Sequence, residues 1–128
     1  MGGIKYDTRR KKLLLKDLCS RLPYGVKVNN EIHGDFNVYG ICENLIFGRN
    51  EVSHVDFDVE CIKPYLFPLT NMTEEQKEEM KENCLNFLIS GVVMPTYKTF
   101  DFFDRYHIDY RGLIEQGLAI DATGLNIY

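Results

Sequence analysis

The sequence predicts an α+β fold: an N-terminal helix, a small SH3/Sm-like β-barrel or curled antiparallel sheet, and a C-terminal helical cap. Three observations carry that expectation. Leu14, Leu15, Leu18, Cys19 and Leu22 recur at three- and four-residue spacing, which gathers them on one helical face. Residues 25–67 are short apolar runs interrupted at Gly34, Asn44 and Gly48, as a set of short strands would be. From Thr73 onward helical signals return. A helix followed by four or five short strands and then helices suits an α+β arrangement.

The first helix is expected over residues 8–22. Asp7 or Thr8 can cap its start, and Pro23 in "LPYG" ends it. In the β-region the clearest strand is "SHVDFDVEC", residues 53–61. Alternation turns Val55, Phe57, Val59 and Cys61 to one side and His54, Asp56, Asp58 and Glu60 to the other. "KPYLFPLTNMT" then reads as an extended strap across the barrel. Its two prolines forbid a helix and disfavour a central strand.

Thr73 to Gln76 forms a capping box and opens a helix over about residues 74–89. Met80, Cys84, Phe87 and Leu88 form its buried stripe, and Gly91 and Pro95 end it. A short helix over 100–106 follows, with Phe100, Phe103 and His107 at helical spacing. "GLIEQGLA" has the G-x-x-x-x-G spacing of a phosphate loop but lacks its Lys-Ser/Thr and a preceding strand. It reads instead as a short helix from Asp109 as N-cap to Gln116. Gly117 takes the left-handed position past its end, and Leu118 packs back on Leu113 or Ile114. Ile120, Leu125 and Ile127 extend an apolar ending that should dock on the core.

At 128 residues the chain fits one domain, 1–128, with a helix-plus-barrel part over 8–67 and a helical part over 68–128. Hydrophobic residues make up 45% and aromatics 12%, enough for a core and too much for a disordered chain. No apolar run reaches a membrane span or a signal-peptide core. Tyr6 stands where a myristoylation signal needs Ser or Thr. The cytoplasm is the expected compartment. Cys19, Cys42, Cys61 and Cys84 form no C-x-x-C pair and occupy apolar-pattern positions, so they are expected to be reduced and buried.

The strap "KPYLFPL..MTEEQK", the ending "HIDYRGLIEQGLAIDATGLNIY" and "LLLKDLCSRLPYGV" also carry a likeness. In these stretches the chain resembles a group of short uncharacterised proteins of gut Bacteroidales and their phages. In that group the segment between the two later helices is often longer than "LISGVVMPTYKT". The resemblance implies a bacterial or phage cytoplasmic setting, and no activity, cofactor or catalytic residue.

Charge is unevenly spread. The net is −4, yet residues 1–30 carry eight Lys/Arg against Asp7 and Asp17, and the remainder carries seven basic and seventeen acidic groups. Arg9, Arg10, Lys11 and Lys12 crowd a helix start, with Lys16 one turn on. The helix dipole disfavours cations there, so a basic arm invites an anion or an acidic partner. Asp56, Asp58 and Glu60 form the matching acidic face, on this chain or on a second copy.

Catalytic signals are weak. All three histidines sit in His-x-Asp triplets, at 33–35, 54–56 and 107–109. On a strand, i and i+2 side chains share a face, so His54, Asp56, Asp58 and Glu60 could be a hard-ligand row. Exposed acids on a strand, a His107 packed on Phe103 and a capping Asp109 explain the same residues, and the flanking residues suggest no repeat. No metal or other cofactor is expected, and no serine lies in a G-x-S-x-G setting. The expected function is non-enzymatic binding of a macromolecule: a protein partner first, and nucleic acid second. The nucleic-acid reading uses the basic helix, with Tyr24, Phe36 or Tyr39 as stacking platforms. The low calculated pI of about 5.3 weighs against it.

Overall fold

The computed structural model describes residues 8–84 and 97–128. Helix α1 spans Thr8–Arg21, and a 3-10 turn over Leu22–Tyr24 brings the chain into strand β1, Val26–Asn30. Strands β2 (Gly34–Cys42), β3 (Leu45–Arg49) and β4 (His54–Asp58) follow as an antiparallel meander. Strand β5 is Lys63–Pro68. Then come helices α2 (Glu74–Cys84) and α3 (Tyr97–Arg105) and two short strands, β6 (Ile108–Asp109) and β7 (Ile120–Asp121).

The α+β class holds, but the barrel does not close. The seven strands form one open mixed sheet in the order β4-β3-β2-β1-β5-β6, with β7 also on β5. The cause lies in β5, the expected strap, which is a central strand. It pairs with β1 only through Lys63 and Pro64. Tyr65 and Leu66 then pair parallel with β7, and Phe67 and Pro68 parallel with β6. Each proline sits where one partner strand gives way to another or the strand stops, so its missing N–H costs little. Two-residue partners from the C-terminal segment take up the other edge of β5, and β4 is the last strand at the far end among the described residues.

The inner face of the sheet carries Val26, Val28, Phe36, Val38, Ile46 and Leu66, all buried, and packs on Leu14 and Leu18 of α1 and on Leu113 and Leu118. Gly48 is required at this face, because a Cβ there would sit 2.9 Å from Phe36 Cβ. The buried face of α1 is Leu14, Asp17, Leu18 and Arg21, not the all-apolar stripe through Cys19, which is exposed. Cys42 and Cys61 are exposed as well. The expected strand over 53–61 stops at Asp58. Val59–Cys61 is a 3-10 turn capped by the Asp58 carboxylate, which accepts the Glu60 N–H. That turn buries Val59 against α1 and swings Cys61 out of the strand's inward row.

A second cluster joins Phe102, Phe103 and Ile108 to Met72 and Met80 of the α2 side. The capping box forms as expected: Thr73 N–H reaches Gln76 Oε1 at 3.0 Å, and Gln76 N–H reaches Thr73 Oγ1 at 3.1 Å. The side chain of Cys84, together with Phe87, Leu88, Gly91 and Pro95, lies outside the described residues. Phe102, not Phe100, faces inward from α3, because the helix begins earlier and its inner row is Thr99, Phe102 and Phe103.

No helix forms over 109–116; the segment is a single turn. It ends as a helix would, however. Gly117 has φ +73°, its N–H bonds to the Ile114 carbonyl at 3.1 Å, and the Leu118 N–H bonds to the Leu113 carbonyl at 2.9 Å. That is the Schellman closure. Asp109 caps it with both carboxylate oxygens, each 2.9 Å from the N–H of Leu113 or Ile114. Leu113 and Leu118 are buried, whereas Leu125 is half exposed. The ending docks through Tyr128, whose hydroxyl donates to the Tyr65 carbonyl at 3.0 Å and accepts the Lys27 N–H at 2.9 Å. Burial pushes that hydroxyl's pKa up to about 12.

Candidate interaction surface

The basic arm and the acidic face meet within one chain. Arg9, Arg10, Lys12 and Lys16 of α1 are exposed, while half-buried Lys11 reaches Asp58 Oδ1 at 3.6 Å and Glu60 Oε2 at 4.0 Å. These contacts follow from the packing of α1 against the turn over 59–61. With both carboxylates about 40% exposed, such pairs contribute under about 1 kcal/mol. Asp56 does not join them. It stands on the outer face of β4, opposite Phe47 of β3.

That outer face carries a ring-and-cation patch. Alternation in β3 and β4 turns Leu45, Phe47 and Arg49 outward beside His54 and Asp56. On β2 the register slips between Val38 and Gly40. The extra residue is Tyr39, and a bulge of this kind re-aims the side chain it carries. Tyr39 is 46% exposed. Its ring lies 6.3 Å from Phe47, meets His54 edge-on at 5.9 Å and has the Arg49 guanidinium 5.4 Å from its centroid. Gly40, the next residue of β2, pairs with Phe47. Of the other expected stacking residues, Phe36 is buried on the inner face, and Tyr24 donates its hydroxyl to Asp101.

A buried polar network, which no sequence motif announces, lies between α1 and the C-terminal segment. Asp17 and Arg21, both fully buried, form a two-pronged pair: Arg21 Nε to Oδ2 at 2.8 Å and Nη2 to Oδ1 at 3.0 Å. Arg111 adds Nη1 to Oδ1 at 2.7 Å. Arg21 also donates to the Ile108 carbonyl at 2.7 Å. Ser20 Oγ lies 2.8 Å from the Asp17 carbonyl and 3.2 Å from buried Asp104. Burial raises the Asp104 carboxyl's pKa, with Arg21 and the Tyr110 hydroxyl opposing. The Tyr110 ring takes the Arg111 guanidinium at 4.4 Å. The charges satisfy one another and tie α1 to α3 and β6. The i, i+4 spacing of Asp17 and Arg21 was the legible trace.

The His-x-Asp residues are placed apart. Among the described residues, no three His, Cys, Asp or Glu side chains come together as a ligand set. Asp109 caps a turn, and His107 stacks on Tyr128 at 3.5 Å, not on Phe103. His107 Nδ1 is the one buried side-chain N or O among the described residues without a hydrogen-bond partner. A repeat does surround the first two triplets. Asn30-Glu31-Ile32-His33-Gly34-Asp35-Phe36 matches Asn50-Glu51-Val52-Ser53-His54-Val55-Asp56-Phe57, with Ser53 inserted. Phe36 and Phe57 pack together at 5.4 Å. The insertion hides the match from a fixed-spacing comparison. Among the described residues no helix is long and apolar enough to cross a membrane. No family model, curated protein or solved structure matches the chain.

Proposed function

We propose that the chain is a non-enzymatic protein-binding module, an adaptor or inhibitor, that engages its partner through the outer face of β2–β4. One observation carries this reading: Tyr39, Phe47, Arg49 and His54 form a contiguous patch open to solvent. Tyr and Arg are the side chains that anchor protein interfaces, because each combines large contact area with polar reach. The buried charged groups are spent on structure: Asp17 and Arg21 on each other and on Arg111, Asp109 on a cap. The resemblance to Bacteroidales and phage proteins gives the proposal its bacterial or phage setting.

A second reading, single-stranded nucleic acid, draws on the same rings, since Tyr39 under Arg49 is a stacking surface. Two facts weigh against it. Asp56 stands opposite Phe47 on that face. The basic arm belongs to α1, whose Leu14 and Leu18 pack on the inner face. A photoreactive phenylalanine analogue at Tyr39, with Glu115 as the control position, separates the readings in a bacterial extract. Protein adducts specific to position 39 and unchanged by nuclease are expected. Nuclease-sensitive adducts, or none specific to position 39, overturn the proposal.

A further inference from the structure

The repeat around the first two histidines caps two hairpin turns in the same way. In the β1–β2 turn, Asn30 Oδ1 accepts the N–H of Ile32 and of His33, each at 3.0 Å. In the β3–β4 turn, Asn50 Oδ1 accepts the N–H of Val52 and of Ser53, each at 2.9 Å. Each asparagine is itself held: Asn30 Nδ2 donates to the Cys61 carbonyl at 2.9 Å, and Asn50 Nδ2 to the Asp35 carbonyl at 3.5 Å. The residue at each tip is a β-branched aliphatic. Ile32 is 85% exposed and Val52 89%, the two most exposed large hydrophobics of the described chain. Turn tips favour Gly, Asn, Asp and Ser. One exposed aliphatic is ordinary, but two at the same place of a repeated, side-chain-locked turn are a constructed feature.

The meander sets both tips at one end of the sheet, because the β1–β2 and β3–β4 turns share that end and the β2–β3 turn lies at the other. The two hairpins are two strand spacings apart, about 10 Å. Charge indicates the occupant. Glu31 and Glu51 immediately precede the aliphatics. A cleft of about 280 Å³ beside Ile32 is lined by Glu31, Glu60, Cys61 and Ile62, with Lys63 as its cation. We propose that Ile32 and Val52 are a two-pronged anchor for a basic protein surface that offers paired apolar sockets. An anionic membrane would meet Glu31 and Glu51 first, and a two-fold contact between tips of two copies would oppose the same carboxylates. Locked turns lower the ordering cost of binding, so short prongs suffice to contribute affinity. The anchor lies at the sheet's end and does not depend on the outer-face patch; either can fail alone.

The test places a photoreactive residue at Ile32, at Val52 and, as the control at the opposite end, at Asn44. Each full-length protein is exposed in a bacterial extract, and the captured protein is then purified and titrated. The expected result is one protein captured from both tips and not from position 44. Its Kd should weaken at least about tenfold with Ile32→Ser plus Val52→Ser. It should also weaken with Glu31→Lys plus Glu51→Lys and lose part of its salt dependence. Unchanged melting of these surface variants verifies that the fold survives. Adducts from position 39 alone overturn the anchor and spare the outer-face reading; adducts from the tips alone do the reverse. No protein shared by the two tips, cross-linked dimers of this chain, or Ile32- and Val52-dependent flotation with phosphatidylglycerol vesicles overturns the anchor.

Discussion

His107 is held in an unusual state. It adopts φ +59°, stacks on Tyr128 at an interplanar angle of 9°, and leaves Nδ1 buried without a partner. Burial, helped by nearby Arg21, lowers its pKa to about 4, against about 6.5 in an unfolded chain. Between these values the unfolded chain binds a proton that the folded chain refuses, so stability falls as pH drops through that window and is unaffected by this group above it. Screening at the ring's exposed edge holds the effect to about 1–2 kcal/mol. His107→Asn removes the titrating group and keeps a residue that tolerates positive φ. Urea unfolding at pH 7 and pH 5 should show a smaller loss for the variant than for the native chain. His33 and His54 are present in both proteins, so their contribution cancels. Equal losses would remove His107 from the account.

At the scale of elements, legibility tracked local chemistry. The capping box at Thr73, the left-handed Gly117 and the stop at Pro23 were readable because each depends on residues within one turn. The buried face of α1 was not, because a period search counts apolar residues and skips a buried ion pair. Asp17 and Arg21 occupy that face, and only the arrival of Arg111, Ile108 and Phe103 from the far end of the chain satisfies them. Asp17→Asn therefore leaves a fully buried guanidinium without its counter-charge, a loss of about 3–5 kcal/mol. Lys12→Ala, on the exposed side of the same helix, should change stability by less than about 0.5 kcal/mol. Denaturant midpoints of the two variants check the contrast. A small loss for Asp17→Asn would mean that water, not Asp17, carries the Arg21 charge.

Across the whole molecule, the fold departs from what local sequence dictates where a strand's partners are distant. Two prolines in "KPYLFP" argue against a central strand, yet β5 is central because three different strands share it in two-residue stretches. Residues 108–121 look like the end of a helical cap and are instead the parallel partners that stand where a barrel's closing strand would. The candidate surface was legible to the same degree: the exposed Tyr39 and the acidic residues of β4 stood out, whereas the bulge that aims Tyr39 requires the register with β3. The C-terminal segment thus completes the sheet and the core together. Deleting residues 118–128 removes buried Leu118 and Ala122, the β7 pairing, the 2.8 Å bond from Ala122 N–H to the Leu66 carbonyl, and the Tyr128 hydroxyl that joins β1 to β5. Burial of Leu118 alone is worth about 2–5 kcal/mol by truncation to Ala, a large share of a small domain's stability. The shortened chain should lose cooperative thermal unfolding and near-ultraviolet circular dichroism. Leu118→Ala, the milder change, should retain both at a lower melting temperature. If the deletion melts where the intact chain does, β5 is held by β1 and β6 without its C-terminal partner, and the topology drawn for this end of the sheet is wrong.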